Sequence, residues 1–301
     1  MNPVDRLSDS HVAIFLFHGV IEKPSGGLRN YIRKHIEKDY FYKIMKELKG
    51  SGRPLSMDEI VEYHRRGDPY HGRSFAITFD DGFENNFSVA APILKDLKIP
   101  AVFYLSTDFI ENNHMSWMDR MEYCLENTPK RSLRLPWGRL PYRIASLKDK
   151  MRLMEDVRLR MKRDSNFDWD SLISDLFDRC GVTEIKEGRG SLDLKMNWEQ
   201  VRRLRDEDSF TIGGHSHRHL NMAALDREEL KEEIDLSITL LSEKGSVIPR
   251  HYSYPEGLEF CYSESVIGAL KRRGIICCPT AVDGVNSGAE DMFHLKRIMV
   301  T

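Results

Sequence analysis

The sequence predicts an α/β fold assembled from parallel βα units. Three observations carry that reading. Short apolar runs of strand length recur along the chain, amphipathic helical patterns separate them, and the joints between the two carry cap and breaker residues. The strand-like runs are Val12–Phe17, Ser74–Phe79, Ala101–Ser106, Phe210–Ile212, His251–Tyr254 and Ile275–Cys278. Phe83–Leu97 and Arg227–Leu241 have helical spacing, the second opened by Asp226, a good N-cap. Pro100 closes the helix ending near Lys98 and opens the next strand. Such units close into a barrel or spread into a doubly wound sheet, and in both the strand ends are where chemistry collects.

One stretch interrupts the alternation. From about Met115 to Leu194 helical patterns continue without a convincing strand, so a helical insertion is expected there. Within it Lys130–Arg163 is strongly basic, with only Asp149, Glu155 and Asp156 in opposition. A solvated helical face explains that run, and so does a lid whose arginines meet a phosphate-bearing substrate. Arg158, Arg160 and Arg163 are the candidates for the second role.

Composition narrows the function classes. The 301 residues are 41% hydrophobic and 31% charged, with a net charge of −2, which suits a single well-cored domain. That balance gives no electrostatic footprint for nucleic acid. No run approaches the roughly 20 apolar residues of a membrane helix. The polar first ten residues and the short run Val12–Phe17 do not make a signal peptide. Cys124, Cys180, Cys261, Cys277 and Cys278 are odd in number and lack metal-ligand spacing, so reduced thiols in a cytoplasmic protein are expected.

Two segments carry chemistry. Thr78-Phe79-Asp80-Asp81-Gly82 places adjacent carboxylates at the end of a predicted strand. Neighbouring carboxylates repel unless a cation or proton is shared. Side chains alternate along a strand, so both face one site only if the strand has ended, and Gly82 permits that bend. A surface Asp-Gly turn is the competing explanation. The second segment is Gly213-Gly214-His215-Ser216-His217-Arg218-His219, directly after Phe210–Ile212. Histidines four apart can aim at one point from a helical turn or a compact loop, with His217 directed elsewhere. The paired glycines are expected to let the backbone approach whatever the histidines bind. One carboxylate and two imidazoles from two strand ends make a metal site with open positions, and the second carboxylate is left beside it as a general base.

Thr-Phe-Asp-Asp-Gly followed by His-Ser-x-x-His resembles the polysaccharide deacetylase family, the NodB-homology group of carbohydrate esterases. Further similarity runs through Lys98–Tyr104, through Tyr252-Ser253-Tyr254-Pro255-Glu256-Gly257 (like the family's third motif), through Phe15-Leu16-Phe17-His18, and through Leu295-Lys296-Arg297-Ile298. The resemblance implies a distorted (β/α) barrel, a divalent metal, usually zinc, and removal of acetyl groups from N-acetylated sugars. By position it implies Asp81, His215 and His219 as metal ligands, Asp80 as general base and His18 as general acid. Tyr252, Tyr254 and Pro255 would line the substrate groove, with a backbone amide near Tyr252 meeting the oxyanion. The arginine that often pairs the base in the third motif is replaced by Ser253, leaving Arg250 or Arg297 to substitute.

Three other readings compete. An amidohydrolase or phosphoesterase would use His215 and His217 as its metal pair. A non-haem iron oxygenase would use two histidines and a carboxylate. A catalytically silent saccharide-binding protein would keep the fold without the reaction. A nucleotide sugar, lipid-linked sugar or glycan precursor is the substrate class expected of a cytoplasmic enzyme.

Overall fold

A computed structural model describes residues 2–163 and 169–301 of the chain. Its centre is a parallel sheet. β1 (His11–Phe17) and β2 (Arg73–Phe79) pair along their whole length, with Phe17 opposite Phe79. β3 (Ala101–Leu105) follows on the far side of β2, and β4 (Phe210–Gly214) follows β3. The short β5 (Ile298–Met299) flanks β1 on the other edge.

Both faces of this sheet are buried, which is why its strands read as nearly unbroken apolar runs. One face carries Phe15, Phe17, Ile77, Phe79, Phe103 and Ile212 into a core shared with the helix Lys38–Ser51. There the rings of Phe17, Phe79 and Phe103 stack in series across three strands, at centroid spacings of 5.5 and 5.1 Å. The other face sends Val12, Ile14, Ala76, Val102 and Tyr104 into an inner core with Tyr252, Tyr254 and Cys277.

The sheet curls on past β4 by single parallel bridges, Gly214 to Tyr252 and His251 to Cys277. The bonds from Cys278 N–H to the Met292 carbonyl and from Thr280 N–H to the Leu295 carbonyl then carry it towards β5. The result is the distorted barrel, with irregular backbone where regular strands would complete the circle. The expected strands His251–Tyr254 and Ile275–Cys278 are thus reduced to bridges. Pro255 and Pro279 follow them directly, and neither offers an N–H to continue a ladder. The expected helix Phe83–Leu97 is also modified. A π-helical turn, Asn86–Ala90, precedes the α-helix Ala91–Asp96 and absorbs the amide that Pro92 lacks.

Between β3 and β4 lie α1 (Trp117–Asn127), α2 (Leu147–Arg163) and α3 (Trp169–Cys180). They enclose an apolar cluster of their own, including Met121, Leu125, Leu153, Val157, Ile173 and Phe177. A small antiparallel hairpin, Ser132–Leu133 with Tyr142–Arg143, departs from the strandless expectation for this stretch. Two-residue strands are too short to leave a periodic trace in sequence. No helix among the described residues is long and apolar enough to cross a membrane.

Candidate active site

The site forms where the parallel strands end. Asp80 follows β2 and still bonds through its amide to the Phe17 carbonyl at 3.0 Å. Asp81 then takes a left-handed conformation, φ 74°, and Gly82 another, φ 84°. That turn breaks the strand alternation and brings both carboxylates to one cavity. An aspartate in this conformation costs on the order of 1 kcal/mol, less than most residues would. Gly82 is required for space as well, since a Cβ there would stand 2.7 Å from Ile110 Cδ1.

The histidine segment is a compact loop after β4, tied down at each residue. His215 N–H donates to the Leu105 carbonyl at 2.9 Å, and Ser106 Oγ donates to the His215 carbonyl at 2.8 Å. Ser216, at φ 62°, accepts on its hydroxyl from the His219 amide at 2.9 Å. Gly213 and Gly214 serve a different end from the one expected. A Cβ on Gly214 would lie 2.2 Å from Tyr252 Cε2, and one on Gly213 would lie 2.6 Å from Tyr104 Cδ1. They make room for buried tyrosine rings that hold the loop. Gly214→Ala is expected to lose about 1–3 kcal/mol of stability by overpacking, measured by denaturant unfolding.

Ligand atoms of Asp81, His215 and His219 all lie within 4.8 Å of one another. Asp81 Oδ1 is 3.6 Å from His215 Nε2 and 3.3 Å from His219 Nε2. Donors about 2.1 Å from one tetrahedral ion stand roughly 3.4 Å apart, close to both separations from Asp81, so the donor set suits zinc. His215 is also oriented for ligation. Its Nδ1 lies 2.9 Å from the Ser253 carbonyl, which fixes the proton there and frees the Nε2 lone pair. Burial pushes its pKa down to about 4, so it is neutral near pH 7. His217 is not brought to this point. Its Nδ1 meets Thr107 Oγ1 at 2.9 Å, so the paired His215 and His217 of the amidohydrolase reading do not assemble.

The family profile described as polysaccharide deacetylase matches residues 67–155 and 184–277, more than half of the chain. The chain belongs to the polysaccharide deacetylase family. It is accordingly a hydrolase of N-acetylated carbohydrate. Solved structures with this fold include the deacetylase PplD of Streptococcus pyogenes in complex with acetate. It is 13% identical, with a TM-score of 0.61 over 97% of this chain and 93% of that one. IcaB of Ammonifex degensii is 15% identical, with a TM-score of 0.61 over 98% and 93%. The deacetylase domain of BpsB from Bordetella bronchiseptica is 15% identical, with a TM-score of 0.57 over 97% of each chain. No curated protein matches the sequence.

In this deacetylase the partner of Asp80 comes from the end of the chain. Arg297 grips both carboxylate oxygens at 2.8 Å each, donates from Nε to the Thr280 carbonyl, and is 1% exposed. Burial alone would raise the Asp80 carboxyl, but Arg297 and His215 hold it below the ordinary value. Of the two arginines sequence left open, Arg250 is excluded. It sits at the surface against Asp58, at 3.4 Å. Ser253, where the family's arginine often stands, contributes a hydroxyl 3.3 Å from Asp80 Oδ1.

The third motif corrects a sequence expectation. The Tyr252 amide donates to the Cys277 carbonyl at 2.9 Å and the Ser253 amide to the Gly214 carbonyl at 2.9 Å, so neither faces an oxyanion. The Tyr252 hydroxyl accepts from the Ser216 amide and donates to Ser237, and the Tyr254 hydroxyl donates to the Phe293 carbonyl. Both rings belong to the inner core. Tyr252, Tyr254 and Pro255 do not line the cavity; the next residue, Glu256, does.

That cavity, about 100 Å³, is lined by Asp80, Asp81, His215, His219 and His18. His18 directly follows β1, in register with Asp80 after β2. Burial lowers its pKa, against the pull of Asp81 and Asp80. Lys34, Ser116, Trp117, Met118 and Arg158 form a further wall. Sequence singled out only Arg158 among these. Arg160 is turned onto the ring of Trp137, and the side chain of Arg163 lies outside the described residues.

Proposed function

We propose that this deacetylase releases acetate from an N-acetylated sugar using a divalent cation held by Asp81, His215 and His219. The convergence of those three side chains carries the reading. Two nitrogen donors and one oxygen suit zinc first, with open positions for water and substrate. Bound there, the cation supplies a Lewis acid that acidifies water and polarises the acetyl carbonyl. The remaining work belongs to the protein. Asp80, kept ionised by Arg297, accepts the proton of the attacking water. His18 donates a proton to the departing amine nitrogen, from the end of the neighbouring strand. Arg297 and Ser253 hold Asp80 in place.

The silent-binder reading has little to support it, because an arginine partner for the base is present after all. The substrate is a nucleotide sugar or glycan precursor, for which Arg158 on the cavity wall gives a phosphate a place to bind. The buried thiols of Cys124, Cys180, Cys277 and Cys278 are in keeping with a cytoplasmic setting. Acetate release should be measured over a panel of N-acetylated sugars and nucleotide sugars, before and after chelation. Activity lost on chelation and restored by zinc is expected. Equal activity in the stripped protein would reject the metal-dependent mechanism.

A further inference from the structure

The cavity wall built by Lys34, Ser116, Trp117, Met118 and Arg158 has no part in the steps above, yet it carries two cations facing the reaction site. Lys34 is held there by a buried network. Its ammonium lies 2.5 Å from Asp119 Oδ1, and Asp119 sits in the first turn of α1, where Ser116 Oγ donates to its other oxygen at 2.7 Å. The same carboxylate is shared with Lys195, 3.8 Å away and fully buried over the Phe83 ring. Burial pushes the Lys195 pKa down to about 8, so it is still mainly charged near neutrality. Lys34 thus shares its nearest carboxylate with Lys195, while Asp81 and Glu122 add to the field that keeps it charged.

Arg158 reaches the cavity from α2. Its ion pair is with Glu155 at 3.1 Å, whose side chain is 52% exposed, and its buried Nε has no hydrogen-bond partner among the described residues. A solvated carboxylate screens a guanidinium only weakly. Of the cavity's own carboxylates, Asp80 is already matched by Arg297 and Asp81 belongs to the cation triad. Glu256 is the third, and its charge acts on His219. Lys34 and Arg158 are thus the two side-chain cations of the cavity lining outside the histidines, and both stand on the same wall.

We infer that this wall selects acetylated sugars bearing an anionic substituent, a phosphate or a carboxylate, held by Lys34 and Arg158. The inference rests on the deacetylase reading of the same cavity and names its substrate class. An ammonium and a guanidinium both favour such oxyanions, and the planar fork of arginine can bind two oxygens at once. Arg160, facing Trp137, takes no part.

Binding to the intact protein should be measured by calorimetry alongside acetate release. The probes are N-acetylglucosamine, its 1-phosphate and 6-phosphate, and N-acetylmuramic acid. At least one charged sugar is expected to bind about tenfold or more tighter than the neutral one, an advantage that shrinks as salt rises. The phosphate and carboxylate arms identify which anion is preferred. Arg158→Gln should reduce the advantage about tenfold. Arg160→Gln should leave it intact. Lys34→Gln should also reduce it while Lys34→Arg retains it; if Lys34→Gln does not fold because Asp119 is stranded, Arg158→Gln still decides. Equal binding of neutral and charged sugars by the wild-type protein overturns the inference. Acetate release without a charge preference rejects this inference alone, whereas a charge preference in binding without acetate release rejects the deacetylase reading and leaves the anion wall standing.

Discussion

Asp81→Ala should bind no stoichiometric zinc and should lose roughly a thousandfold or more in kcat/KM. A Lewis acid is worth several kcal/mol of transition-state stabilisation, and each 1.36 kcal/mol is tenfold in rate. Asp80→Asn makes the informative contrast. It removes a proton acceptor outside the ligand triad, so zinc should still bind while activity falls about 10²- to 10⁴-fold. Inductively coupled plasma analysis and acetate release on both variants separate the two adjacent carboxylates. If Asp80→Asn lost the metal and Asp81→Ala kept it, their roles would be exchanged. His215→Ala should behave as Asp81→Ala does, because its Nε2 is aimed at the same point and its Nδ1 is committed to the Ser253 carbonyl.

The second large effect falls on stability. Arg297→Met leaves the Asp80 carboxylate buried without its partner, which should destabilise the fold by about 3–5 kcal/mol at neutral pH. Pairing that change with Asp80→Leu should recover most of the loss, since apolar replacement of a buried ion pair is often neutral. Activity should not return with stability, because the base is gone. The pH dependence has a definite sign. In the wild type, Arg297 holds the Asp80 carboxyl below its ordinary 3.8, which stabilises the fold above that pH and is lost as pH falls through the depressed value. In Arg297→Met the strongest charge opposing burial is gone, with only the histidines left against it, so the carboxyl rises. The stability deficit is therefore greatest near neutrality and narrows towards acid. Urea titrations at pH 7 and pH 4 measure it, and a deficit independent of pH would point to packing instead of charge.

Much of this was legible in the sequence because it follows from short-range rules. The four main strands are apolar on both faces, so Val12–Phe17 and Ser74–Phe79 announce themselves within a residue of their bounds. Asp81, His215 and His219 could be nominated because adjacent carboxylates and clustered histidines at strand ends have few structural uses. What could not be read depends on long-range closure. Arg297 meets Asp80 across more than two hundred residues, and nothing local distinguishes it from exposed Arg250. Tyr252 illustrates the reverse error: motif position suggested a groove residue, while the space left by Gly214 draws its ring into the core. Lys34 gave no signal because its burial depends on Asp119, which belongs to a helix far along the chain. The basic run Lys130–Arg163 was visible in composition, but only packing shows that Arg158 faces the cavity and Arg160 does not.

The most direct measurement is anomalous diffraction at the zinc absorption edge from crystals of the intact protein equilibrated with zinc. One strong peak within bonding distance of Asp81 Oδ1, His215 Nε2 and His219 Nε2, with Asp80 adjacent but unligated, is the predicted result. A peak elsewhere in the molecule, or Asp81 rotated away from both imidazoles, would contradict it.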